Sequence, residues 1–179
     1  MHGIIFAELK KYVQARHGDD TWKALLRRAG LKNAVYLPIR DYPDADVVAI
    51  VGAASEATGA PAGEILEDFG GFIAPDLLAM YRSLVKPEWR TLEFLENTEE
   101  TIHRVVRIKD PLARPPEIRC ERVAENEVVV RYASARRLCA VARGIVRGVA
   151  AHYGEPIEIL EPSCMLRGDA ECRVHVRTL

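Results

Sequence analysis

Hydrophobic residues recur at helical spacing through the first half of the chain. Ile5, Leu9 and Val13 fall on one face of a predicted helix that Gly18 would end. Asp20 and Thr21 are expected to cap the next helix, and Gly70-Gly71 to end a later short one. The same periodicity predicts further helices over residues 22–29, 44–58, 62–69, 76–83 and 89–106.

The pattern changes after Lys109-Asp110-Pro111. Pro115-Pro116 introduces a predicted hairpin with strands over 117–123 and 128–134. A helix over 135–152 and a second pair of strands, 157–161 and 172–177, are predicted to follow. The order is therefore helices first and then β-β-α-β-β, which indicates an α+β fold with a four-stranded antiparallel sheet.

Composition narrows the function classes. The 179 residues are 49% hydrophobic and carry a net charge of -1, enough for one domain and no reason to expect nucleic acid as a partner. No apolar run reaches membrane-spanning length, and Met1-His2-Gly3 lacks the basic start of a signal peptide, so we expect a cytoplasmic protein without a membrane partner. No nucleophile, base and oxyanion donor come together in the sequence, which argues against an enzyme.

Three polar side chains are predicted to converge where the second hairpin strand ends. Tyr132 and Ser134 face the same way on a strand, and Arg136 continues that phase. Two hydroxyls and a guanidinium suit the carboxylates of a ligand. If that ligand is haem, His103 on the preceding helix is the candidate for its iron. The simpler interpretation is a structural histidine and a polar strand end.

These features together resemble the H-NOX family, the haem nitric oxide/oxygen-binding domains related to the haem domain of soluble guanylate cyclase. Met1-x-Gly3-x-Ile5 is similar to the opening of the family, and His103 matches its axial haem ligand. Pro115-Pro116 matches a proline stretch that distorts the porphyrin. Tyr132, Ser134 and Arg136 match the Tyr-x-Ser-x-Arg motif that binds the haem propionates.

The resemblance implies a single H-NOX domain over residues 1–179. Its helical lobe would cover about residues 1–60 and pack on a haem-ligating β lobe over about residues 61–179, with haem b between them. Apolar candidates for the haem pocket are Ile5, Leu9, Leu78, Val141 and Ile145.

The resemblance also bears on which gas is bound. Members that hold O2 stably have a distal tyrosine, and the matching position here is Val141. We therefore expect NO and CO as ligands and O2 to be excluded, unless Tyr12 or Tyr81 supplies a donor. As a hypothesis, NO would weaken the bond between iron and His103, relieve strain imposed by Pro115-Pro116 and let the lobes move.

Three of the four cysteines form a candidate zinc site. Some bacterial H-NOX proteins bind zinc through three cysteines and a histidine, and Cys139, Cys164 and Cys172 match those cysteines. Glu161 stands at the histidine position, and zinc accepts carboxylate oxygen. His152 is another possible fourth ligand, whereas His175 should point away from Cys172. Buried thiols without metal, or redox-sensitive thiols, are the alternatives.

The expected role is that of a sensor that signals to a separate protein. By resemblance, such partners are histidine kinases, cyclic-di-nucleotide enzymes or chemotaxis-type receptors. One rival is a haem-free small-molecule module of the four-vinyl-reductase type, which would use Arg136 and not need His103. The other is a zinc-thiolate redox sensor in which the cysteines are the input.

Overall fold

The computed structural model describes residues 1–31, 34–110 and 113–179. It has the predicted α+β fold with a four-stranded antiparallel sheet. Contacts divide the chain into two compact units, Met1–Phe69 and Gly70–Leu179. The assignment of both to one domain, with a lobe boundary near residue 60, stays a prediction. None of the helices in the described ranges has the length and apolar character needed to cross a membrane.

Three helices build most of the first unit: α1 (Gly3–His17), α2 (Asp19–Arg28) and α3 (Asp44–Thr58). Helix α1 ends at Gly18 and α3 at Gly59, as predicted. The expected cap of α2 was wrong, because Asp20 and Thr21 lie inside that helix and Gly18 precedes it. The predicted connection after α2 includes Lys32 and Asn33, which lie outside the described residues.

Helix α4 (Ala62–Met80) runs through Gly70-Gly71 and Pro75, where two shorter helices were predicted. The glycines serve close packing here. A Cβ on Gly70 would lie 2.2 Å from the carbonyl oxygen of Val141, and one on Gly148 would lie 2.4 Å from Cβ of Ala74. Small residues therefore let this part of α4 approach the helix that carries Val141, and they do not end it.

The predicted helix over 89–106 is three pieces. Helix α5 (Thr91–Thr98) passes into a π-helical turn, Glu99–His103, and then into α6 (Arg104–Lys109). Pro111, where the pattern changed, lies outside the described residues. Strands β1 (Glu117–Ala124) and β2 (Glu127–Ala133) form the predicted hairpin.

Helix α7 (Cys139–Tyr153) is followed by β3 (Ile157–Ser163) and β4 (Cys172–Thr178). The strand order is β1-β2-β4-β3, with every neighbouring pair antiparallel. One face of the sheet carries Val128, Val130, Val174 and Val176 into a core shared with α5 and α7. Alternation places the charged residues of the same strands on the other face.

Candidate functional site

His103 ends the π-helical turn and is largely buried, with its side chain 14% exposed. Single π turns inside α-helices are rare and occur frequently at functional sites. The helical periodicity of the sequence could not show this turn, because the apolar positions of α5, such as Leu92 and Leu95, continue at helical spacing to Ile102 in the turn. The turn thus marks His103 by an observation that is independent of any motif.

The imidazole of His103 is held by Glu99. Its Nδ1 lies 2.9 Å from Oε2 of Glu99. A carboxylate can only accept a hydrogen bond, so Nδ1 carries the proton in this contact and the lone pair of a neutral ring is on Nε2. Nε2 with a lone pair is the atom that a metal ion requires.

Burial of His103 and the hydrogen bonds to Glu99 favour a neutral imidazole beside an ionised carboxylate. Burial lowers the pKa of His103 and outweighs the hydrogen bond and charge of Glu99, which raise it, as does the Pro116 carbonyl. Burial would raise the pKa of Glu99, but hydrogen bonds from Arg107 and His103 lower it below its usual value. Both directions keep His103 in the form that ligates metals.

Glu99 was not among the site residues that the sequence analysis named. Besides His103, it accepts hydrogen bonds from Nη2 of Arg107 at 2.6 Å and from the Ile118 backbone N–H at 3.3 Å. The i,i+4 spacing of Glu99 and His103 was the available signal. Arg107 had no such signal, because its partner lies eight residues earlier.

Tyr132 and Ser134 come together as predicted. Tyr132 is 4% exposed, and its hydroxyl has hydrogen-bond partners in Ser134 and the backbone of Leu138. Burial raises the pKa of Tyr132 to about 12, with Ser134 opposing part of that rise, so the hydroxyl is a neutral donor near pH 7.

Arg136 lies in a turn and not at the start of the predicted helix over 135–152. Its backbone N–H donates to Oγ of Ser134 at 3.3 Å, and Arg137 follows with a left-handed φ of 52°. This turn delays α7 until Cys139. The Arg136 guanidinium donates to the carbonyl of Arg114, directly before Pro115-Pro116.

The predicted pocket residues divide between the two units. In the second, Leu78 is buried and belongs to the main core, Ile145 packs against that core, and Val141 is partly buried on α7. In the first, Leu9 is buried and Ile5 partly buried on α1. The pocket role of all five stays a prediction.

Pro115 and Pro116 lead directly into β1 and are partly buried. Pro115 lines an open groove of about 820 Å³ that also exposes Glu99 and Arg107 to solvent. The carbonyl of Pro116 faces His103 closely enough to affect its pKa. The structure thus brings the Pro116 carbonyl close to His103. The packing of Pro115-Pro116 on a porphyrin stays a prediction.

The three predicted cysteines form one buried cluster. The Sγ atom of Cys164 lies 3.6 Å from that of Cys139 and 3.8 Å from that of Cys172. Two sulfurs bound to one tetrahedral zinc ion are about 3.8 Å apart, given zinc–sulfur bonds of about 2.3 Å. Tyr132 shares this cluster, since it lies directly opposite Cys172 in the sheet.

Glu161 is the fourth member of this group, with a carboxylate oxygen within 4.8 Å of the three sulfurs. Among the described residues, neither His152 nor His175 joins it. The His152 ring meets the Tyr153 ring edge-on, and Nδ1 of His175 lies 2.8 Å from Oε1 of Glu127. Nη1 of Arg143 lies 3.0 Å from both carboxylate oxygens of Glu161. Sequence reasoning missed this arginine, which would compete with a metal for the Glu161 oxygens.

The chain matches the Haem-NO-binding family model over residues 2–161. Among curated proteins it is similar to two soluble guanylate cyclases of Caenorhabditis elegans. It is 25% identical to gcy-34 over 182 residues (98% of this chain and 26% of the relative). It is 26% identical to gcy-35 over 157 residues (84% of this chain and 22% of the relative). The chain thus spans about a quarter of the length of these relatives.

H-NOX proteins of known structure have the same fold as this chain. An H-NOX protein from Shewanella oneidensis in its Fe(II)NO state superposes with a TM-score of 0.93 at 27% identity, over 100% of this chain and 99% of that one. Its Fe(II)CO state has a TM-score of 0.89 at 27% identity, with the same coverage. The I5F mutant of T. tengcongensis H-NOX has a TM-score of 0.87 at 23% identity, over 99% and 97% of the two chains, and supports the fold alone.

Proposed function

The chain belongs to the Haem-NO-binding family, and on that premise we propose that it is a gas sensor that binds NO and CO at ferrous haem. The observation that carries the proposal is His103. Its imidazole is buried on a π-helical turn and held by Glu99 with Nε2 available as a ligand atom. Ferrous haem would supply the iron to which the diatomic gas binds.

The residues of the second unit fit that cofactor. Neutral His103 would be the axial ligand. The Tyr132 and Ser134 hydroxyls can donate to one propionate, and Arg136 can pair with a propionate once it leaves the carbonyl of Arg114. Leu78, Val141 and Ile145 supply apolar surface.

Selectivity against O2 is the second part of the proposal. Bound O2 carries partial negative charge and needs an N–H or O–H donor, whereas NO does not. Val141 offers none, and neither does Leu78 or Ile145. The hydroxyl of Tyr12, an alternative donor in the sequence analysis, donates to Oδ2 of Asp68 at 2.7 Å. Tyr81 has a hydroxyl whose pKa burial raises, and it stays the alternative to test.

The output of the sensor is proposed to be a change in a separate signalling protein. A histidine kinase, a cyclic-di-nucleotide enzyme and a chemotaxis-type receptor are the candidate partners. His103, as the residue that would hold the iron, would link the haem to the π turn and, through the Pro116 carbonyl, to the start of β1. We propose sensing and not catalysis as the role of this chain.

The test is the absorption spectrum of the reduced, haem-supplied protein before and after O2 and then NO. A haem spectrum that O2 leaves unchanged and NO alters supports the proposal. A stable O2 complex would assign a distal donor, and Tyr81→Phe should then remove it. Failure to take up haem, even after reconstitution, would overturn the proposal in favour of a haem-free small-molecule module.

A zinc site is a second candidate function, favoured by the sulfur spacing of Cys139, Cys164 and Cys172. We propose these three as ligands and Glu161 as the fourth. Zinc content per chain after dialysis against a weak chelator tests it. One equivalent that Cys164→Ser abolishes would support the site. Zinc-free protein with reversible peroxide sensitivity of the thiols would support the redox-sensor rival.

A further inference from the structure

The two oxygens of Glu99 are used by different partners. Oε2 accepts hydrogen bonds from Nδ1 of His103 at 2.9 Å and from the Ile118 N–H at 3.3 Å. Oε1 accepts one from Nη2 of Arg107 at 2.6 Å. The side chain of Glu99 is 24% exposed and that of Arg107 is 40% exposed, and both line the groove beside β1. Arg107, Glu99 and His103 therefore form a chain of hydrogen bonds from solvent to the imidazole.

Such a chain has a chemical consequence for Nε2. A carboxylate that accepts from Nδ1–H increases the electron density of the ring and makes Nε2 a stronger metal ligand. An arginine on the same carboxylate withdraws part of that charge, which weakens the effect. The two residues therefore act on His103 in opposite directions.

We propose that Glu99 and Arg107 together set the strength of the bond between His103 and the haem iron, and so how readily NO displaces His103. The inference rests on the proposed function, because it assumes haem on His103. Glu99 and Arg107 are positioning residues, since both act through the imidazole. Neither was part of the residue set that the resemblance supplied.

A purely structural role for Glu99 is the competing explanation. By accepting from the Ile118 N–H, the carboxylate also joins the π turn to the start of β1. A structural link would respond to geometry alone, whereas the proposed role responds to charge. Glu99→Gln separates these roles, because an amide oxygen can still accept from both N–H groups but carries no charge.

The experiment uses the full chain loaded with ferrous haem. Resonance Raman spectroscopy gives the iron–histidine stretching frequency, and stopped-flow absorption gives the rate at which His103 leaves after NO binds. Glu99→Gln should lower the iron–histidine frequency and speed the release of His103 by about tenfold. That size lies within the effect on metal affinity that follows loss of the hydrogen-bond partner of a ligating histidine. Arg107→Met should raise the frequency and slow the release. Glu99→Asp should restore both values in part.

Matched controls are Glu100→Gln and Arg104→Met, which remove the same charges from neighbouring exposed positions. Both should leave the frequency and the rate at wild-type values. If Glu99→Gln does not fold, Arg107→Met carries the test alone, since it leaves the hydrogen bond between Glu99 and His103 in place.

The outcomes separate the two proposals. Shifts of opposite sign in Glu99→Gln and Arg107→Met support the inference. Haem bound through His103 with the same frequency in every variant, or shifts equal to those of the controls, would overturn this inference and leave the proposed function standing. A wild-type chain that takes up no haem would overturn both.

Discussion

Two glutamates of the second unit lie beside candidate metal ligands, and an arginine holds each of them. Glu99 pairs with Arg107 on one oxygen and keeps the other for His103. Both carboxylate oxygens of Glu161 accept hydrogen bonds from Arg143, and Nη1 of Arg167 lies 3.5 Å from one of them. In the first region the arginine leaves the ligand free and modulates it. In the second, the arginine pairs with the carboxylate that would itself be the ligand. An ion pair of the same kind therefore tunes the ligand in one region and competes with the metal for the ligand in the other.

The largest effect expected on the first region follows from removing the ligand atom. His103→Gly should lower haem affinity on the order of 100-fold or more, because the π turn Glu99–His103 holds no second imidazole. Added imidazole should restore an axial-ligand spectrum, measured by haem titration. His152→Gly is the control and should bind as wild type. Equal haem affinity in His103→Gly and wild type would assign the axial ligand elsewhere.

The matching change in the second region is Cys172→Ser. Loss of one of three thiolates should reduce zinc affinity by about 100-fold, measured by competition with a chromophoric chelator. Cys120→Ser is a good control, because Cys120 lies on β1, outside the cluster. Its Sγ donates to the carbonyl of Leu95 on α5 at 3.2 Å. Similar losses in both variants would mean that zinc binds the chain without a defined site.

Arg143→Met tests the difference between the two regions most directly. Freed from Arg143, the carboxylate of Glu161 should bind zinc more readily and raise its affinity by about tenfold, equivalent to about 1.4 kcal/mol. The same chelator competition measures it, with Arg147→Met one turn later on α7 as control. A fall in affinity would show that Arg143 stabilises the loaded site and does not compete with it.

The smallest effect is expected where an arginine binds glutamates without a ligand nearby. Nη2 of Arg122 contacts Glu93 at 2.7 Å and Glu96 at 2.5 Å. Arg122→Met should lower the free energy of unfolding by about 1 kcal/mol or less in urea denaturation, since the network is partly exposed to solvent. Its haem spectrum and zinc affinity should match wild type, and a change in either would show coupling through α5 and β1.

Much of the fold was predictable because local signals and packing agree. Asp44–Thr58 was predicted residue for residue, since a proline precedes it and a left-handed glycine ends it. The four strands fell within two residues of their predicted bounds. Gly70-Gly71 gave the opposite result. A glycine pair ends a helix or permits close packing, and only the neighbouring α7 backbone decides which.

The candidate site was predictable as a set of residues but not as an arrangement. Tyr132 and Ser134 followed from strand alternation, and the three cysteines followed from the resemblance to the family. The π turn at Glu99–His103 and the left-handed Arg137 leave no mark on hydrophobic periodicity. Arg107 and Arg143 acquire their roles from contacts 8 and 18 residues away. Composition does not report such contacts.

The position of β4 in the sheet has a consequence for how the chain is made. This strand follows the other three in the chain, yet it lies between β2 and β3. Until β4 has left the ribosome, β2 lacks its second neighbour in the sheet and β3 lacks a strand partner. Cys172 is then also absent from the cluster with Cys139 and Cys164. The nascent chain therefore passes through a stage with exposed strand edges, when it is most open to mispairing and to capture by chaperones.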